Sequence, residues 1–168
     1  PLPPFSSCSP LPPLRYLNST MYRFSRFFST ASPQITSSLS DRGILTLTLN
    51  QAGAVNTLSS TFTKEISGAL TDAVARSDVK AIIIDSAKKG CFIAGADIGE
   101  LSGMKSPVDL ANLARAGQKI LVEQVQQCPK PIVAAIDGVA LGGGLELALA
   151  CTSRIATARS SLGLPEVM

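Results

Sequence analysis

Two short runs, Ala81–Ile84 and Ile132–Ile136, carry no polar side chain. A strand that is apolar on both sides needs cover on both faces, the setting of parallel strands inside an α/β layer fold. The segments around them have the matching periods. In Ile44–Leu49 the leucines at 45, 47 and 49 alternate with Thr46 and Thr48, which predicts a half-buried strand. Phe62, Ile66, Leu70 and Val74 recur every four residues, which predicts a helix over 58–75 with one inward face. Pro107 suits a first helical turn, and a helix running from there to about Gln127 turns Leu110, Leu113, Ile120, Leu121 and Val125 inward. Pro129 and Pro131 end it. Strand–helix–strand alternation of this kind implies an α/β fold with parallel neighbours.

The head of the chain differs from the body. Residues 1–40 hold three arginines, Arg15, Arg23 and Arg26, and no acid, whereas the 12 basic residues after them are matched by 12 acidic ones. The net charge of +3 therefore belongs to the head, and a neutral body argues against a nucleic-acid surface. Residues 1–40 read as a disordered extension. Within it, residues 21–33 have the Arg-, Ser- and aromatic-containing, acid-free composition of a mitochondrial transit peptide, which places the protein in the matrix. The folded part is expected to run from Asp41 to Met168. Cys8, Cys91, Cys128 and Cys151 form no CxxC pair and the chain has no His, so neither a zinc site nor a His-based triad is expected. The wide cysteine spacing fits free thiols in a reducing compartment.

Two segments, 91–100 and 131–151, each lead from a strand through a turn of small residues into a helix start. Such turns leave backbone N–H groups unshielded, at the positive end of a helix. Two of them converging would make an oxyanion hole. Alternatively, the glycines at 142–144 serve close helix–strand packing. A dinucleotide fingerprint is rejected, because from Gly142 and Gly144 the third glycine position is Leu147. Glu146 lies in the apolar stretch Leu145–Ala150, where a carboxylate is costly without a partner or a task, unless it faces solvent on an exposed stripe. Glu166 follows Pro165. Two carboxylates at one pocket can divide acid and base roles, but spacing alone leaves open whether these two meet.

Taken together, Phe92–Ile98, Pro129–Ile136, Leu141–Ala148 and Leu162–Val167 resemble the crotonase (enoyl-CoA hydratase/isomerase) superfamily. Val55–Leu58, Phe92–Ala94 and Arg154–Thr157 make the chain most similar to the hydratase domain of the trifunctional-enzyme α-subunit and its bacterial multifunctional counterparts. The resemblance implies a crotonase-like α/β fold of stacked ββα units, a CoA thioester substrate and a homo- or hetero-oligomer. By position, the N–H groups of Ala96 and Gly143 would hold the thioester oxygen, and Ala94, Ala96, Asp97, Ile98 and Gly143 would border the substrate. Glu166 would deliver a proton to C2 while Glu146 orients and activates the water, giving syn hydration of a trans-2-enoyl-CoA in fatty-acid β-oxidation. Double-bond isomerisation, or a catalytically silent acyl-CoA-binding module, are the alternatives. Hydration needs no cofactor; NAD enters only with a downstream dehydrogenase domain, and a multifunctional complex would associate peripherally with the inner membrane. The family pattern continues past Met168, so the chain is expected to be the N-terminal part of such a domain, truncated at the C-terminus and inactive by itself.

Overall fold

The computed structural model describes residues 33–104 and 106–165. The proposed transit segment, apart from Pro33, and Glu166 lie outside them.

Among the described residues, eight strands and four α-helices follow one another as β1 (Ile35–Leu39), β2 (Ile44–Leu49), α1 (Ser60–Ala75), β3 (Ala81–Ser86), β4 (Cys91–Ile93), α2 (Ile98–Gly103), α3 (Pro107–Lys119), β5 (Ile132–Ile136), β6 (Val139–Leu141), α4 (Gly143–Ala150), β7 (Ser153–Ala156) and β8 (Ser161–Gly163). A π-helical segment, Ile120–Gln126, continues α3. One sheet has the order β1-β2-β3-β5-β7; only the β1–β2 pair is antiparallel. A second sheet, β4-β6-β8, is parallel throughout. This is the α/β class expected from the two apolar runs, which became β3 and β5.

The β2 alternation holds: Leu45, Leu47 and Leu49 are buried and the threonines half-buried. α1 starts where the Ser59 side chain accepts the Phe62 N–H (3.2 Å). Its buried face is Phe62, Ile66, Leu70 and Ala73. Complete burial of a side chain such as Phe62 stabilises by roughly 1.5–3 kcal/mol. At the other end of α1 the Lys130 ammonium donates to the carbonyls of Ala73 and Arg76 (2.7 and 2.5 Å), placing a cation on the helix C-terminus and tying the entry to β5 against it.

Three expectations are corrected. The folded part begins before Asp41, because Ile35–Leu39 pairs in full register with β2. Val74 is exposed and Ala73 takes the inward place. α3 buries no residue and Leu110 is exposed; of the five side chains expected inward, only Val125 is buried. The stripe shows which side of the helix is apolar, but no described element covers it along α3; burial begins only in the π segment, at Val125. Of the two settings left open for Glu146, the exposed stripe holds, since α4 turns Gly144, Leu147 and Ala148 inward and Glu146 and Leu149 outward. Cys91 and Cys151 are buried free thiols and Cys128 a half-buried one. Burial pushes the Cys151 thiol up to about 12, which leaves it unreactive.

Candidate active site

The two small-residue turns lie side by side. α4 starts at the turn after β6, where Gly142 has φ +50 and ψ −128, a conformation open to glycine. The Gly142 carbonyl accepts the N–H groups of Leu145 and Glu146, and its own N–H donates to the Gly163 carbonyl. Gly143 and Gly144 head the helix, where N–H groups have no intrahelical acceptor. Gly144 sits so close to β4 that a Cβ there would come within 2.6 Å of the Ile93 carbonyl oxygen. Helix–strand packing therefore does account for Gly144. Gly143 differs: a Cβ on it would meet only the Leu58 side chain at 2.8 Å and, at 3.9 Å, the Glu146 carboxylate.

Leu58 joins the second turn to the first. It pairs with Ala96 as an isolated parallel bridge, its N–H donating to the Gly95 carbonyl (2.8 Å) and its carbonyl accepting from the Asp97 N–H (3.2 Å). Gly95 has φ +114, and a Cβ on it would lie 3.6 Å from the Leu141 carbonyl oxygen. The backbone at 93–96 thus runs directly alongside 141–144. Ala96 is exposed, and no described residue accepts its N–H. The N–H of Gly143 is likewise without a described acceptor. Two unpartnered donors from two turns therefore flank one side chain, Leu58, and the Glu146 carboxylate reaches back over the same turn.

The remaining predicted residues divide. Ala94 is half-buried, and Ile98 is 79% exposed beside the opening. The Asp97 carboxylate is already engaged: it caps α2 by accepting the Glu100 N–H (3.0 Å) and accepts the Thr57 hydroxyl (3.0 Å). These two hydrogen bonds, the Glu100 N–H first, hold its pKa below the usual carboxylate range. A polar hollow of about 320 Å³, lined by Gln51, Gly53, Val55, Thr57 and Asp97 among others, opens next to this turn. An apolar cleft of about 210 Å³ between α1 and the π segment is lined by Leu70, Val74, Gln124 and Cys128, none of them from either turn. No group of metal-ligating side chains occurs among the described residues. Leu58 and Asn56 belong to the Val55–Leu58 run that carries the family likeness, but nothing in the sequence gives either of them a role at the site.

A family model described as enoyl-CoA hydratase/isomerase matches residues 40–168. The fatty acid oxidation complex subunit alpha of Idiomarina loihiensis is 42% identical over 130 residues, 76% of this chain and 18% of the relative. A probable enoyl-CoA hydratase of Bacillus subtilis is 45% identical over 127 residues, 76% of this chain and 48% of the relative. Among solved structures, the enoyl-CoA hydratase of Bacillus anthracis superposes with a TM-score of 0.74 at 34% identity, covering 79% of this chain and 51% of that one. The chain spans about half or less of the length of these relatives.

Proposed function

The chain belongs to the enoyl-CoA hydratase/isomerase family, and on that premise we propose that it hydrates trans-2-enoyl-CoA thioesters to 3-hydroxyacyl-CoA in fatty-acid β-oxidation. The observation that carries this is the pairing of the unpartnered Ala96 and Gly143 N–H groups on either side of Leu58, with Glu146 over the same turn. In the ground state a thioester oxygen seated between them accepts two hydrogen bonds. As water oxygen bonds to C3, the C2=C3 electron pair moves toward the carbonyl and the oxygen becomes enolate-like. Fixed donors stabilise that developing charge more than the ground state, which is what lowers a barrier. Glu146 orients the water and takes its proton; Glu166, which lies outside the described residues, supplies the proton to C2, so one turnover leaves Glu146 protonated and Glu166 ionised, and proton exchange with solvent after product release restores the starting state. No cofactor takes part.

Glu146→Gln and Glu166→Gln in the full-length protein test the assignment. Each is expected to lower kcat by roughly 10²–10⁴-fold with KM little changed. Near-normal turnover in either variant removes that residue from its role, and loss confined to Glu166→Gln favours isomerisation instead. Matrix location is supported by the acid-free composition of residues 21–33. Action within an oligomer or multifunctional complex is supported by the Idiomarina relative, which is named as a subunit of a complex.

A further inference from the structure

Asn56 is completely buried, in a loop, with every side-chain polar atom engaged. Its carbonyl oxygen Oδ1 accepts the Gln51 N–H (3.1 Å). Its Nδ2 donates to Ser86 Oγ (2.9 Å), to the Phe92 carbonyl (3.0 Å) and, at 3.4 Å, to the Leu49 carbonyl. These partners sit at the ends of β2 and β3 and within β4, so one amide pins the loop to three strands. Burying an amide is costly unless it is satisfied in this way, and once satisfied it admits little movement.

That loop runs beside the Ala96 turn. The Asn56 backbone carbonyl accepts the Ala94 N–H (2.8 Å), and two residues later Leu58 pairs with Ala96. Regular parallel pairing from the first of these contacts would set Asn56 against Ile93. Two residues on the loop side are therefore matched by three on the other, and the additional one falls in the stretch that contains Gly95 at φ +114. This is a bulge, a device that re-aims the residue after it. Asp97 turns its N–H toward Leu58; successive N–H groups of extended backbone alternate, so that of Ala96 points away, toward the 141–144 turn. Asn56 clamps the bulge from below. From above, Leu58 holds Gly95 and Asp97, and the Thr57 hydroxyl holds the Asp97 carboxylate.

From this geometry we infer that Asn56 and Thr57 are positioning residues: they fix the bulge at Gly95 and so aim the Ala96 N–H at the thioester oxygen. The inference rests on the oxyanion role given to Ala96 above. Neither side chain touches substrate in this role.

The test measures the absorption of a cinnamoyl-type CoA thioester bound to the full-length protein, alongside kcat and KM for an enoyl-CoA. Carbonyl polarisation moves the chromophore to longer wavelength, a signature that stability alone does not alter. Wild type is expected to show the shift. Asn56→Asp keeps the size of the side chain and removes its donors; it is expected to lose most of the shift and roughly 10²-fold in kcat, with KM within about threefold. Thr57→Val, at a half-buried site, is expected to act in the same direction by a smaller factor and to unfold cooperatively. If Asn56→Asp fails to fold, Thr57→Val decides: a diminished shift supports the inference, and an unchanged shift with unchanged kcat overturns it. A folded Asn56→Asp with wild-type shift and turnover also overturns it. Absence of the shift in wild type, with the ester bound, refutes the oxyanion role itself, and the positioning role falls with it.

Discussion

Replacing Gly144 by Ala puts one methyl group where the two turns meet, and the outcome follows from opposing terms. Gly to Ala inside a helix ordinarily stabilises by about 0.5–1 kcal/mol. At Gly68, midway along α1, a Cβ meets nothing within 4 Å, so Gly68→Ala is expected to gain about that much. At Gly144 the same methyl lies 2.6 Å from the Ile93 carbonyl oxygen and 2.7 Å from the Ile93 Cβ. Ordinary contact is about 3.5–4.0 Å, so α4 must retreat from β4 by roughly an ångström. Ile93 is fully buried in a parallel strand and cannot give way cheaply. Overpacking of this kind costs about 1–3 kcal/mol, which outweighs the helical gain. The retreat also carries Gly143 away from Ala96, and misplacement on this scale costs roughly 10²-fold in rate. Urea unfolding of both variants, with turnover measured on the folded fraction, reads the two effects separately. A Gly144→Ala protein as stable as Gly68→Ala, or a destabilised one with full kcat, refutes the close packing of α4 on β4 as the element that sets the site.

Two further predictions concern regions away from the turns. The Asp137 carboxylate accepts from the Arg159 guanidinium (2.6 Å at Nε) and the Thr157 hydroxyl (2.8 Å), which lower its pKa to about 2. Because the folded value lies below the unfolded one of about 3.9, its contribution is present above about pH 4 and is lost as pH falls from there toward 2. Asp137→Asn should flatten the stability profile in that window, whereas an unchanged acid limb in chemical denaturation contradicts the pairing. Residues 21–45 fused to a fluorescent reporter should carry it into the mitochondrial matrix, and a reporter that stays cytosolic rules the targeting proposal out.

Much of the framework was legible because its signals are periodic. The leucine alternation of β2, the apolar runs that became β3 and β5, and the four-residue spacing of α1 each state a period and a face. The strand β1 was not legible, since its sequence ITSSL is mostly small and polar and its side chains are largely exposed; pairing with β2 alone makes it a strand. The face of α3 was misread because an apolar stripe tells which side of a helix is oily, not what covers it. At the site, the small-residue turns and Glu146 carried signals of composition. Leu58 and Asn56 carried only the family likeness of Val55–Leu58 and no sign of a role, because their importance comes from which backbone groups the fold brings to them.

Activation of an enoyl thioester for attack by water is the function proposed for the two turns. Its most direct test is the reaction of a trans-2-enoyl-CoA with the full-length protein in D₂O, with the product analysed by proton and deuterium NMR. The expected product is the 3-hydroxyacyl-CoA with a single deuterium at C2, on the same face as the new hydroxyl. A product with a migrated double bond and no added oxygen, or bound substrate that returns unchanged, contradicts it.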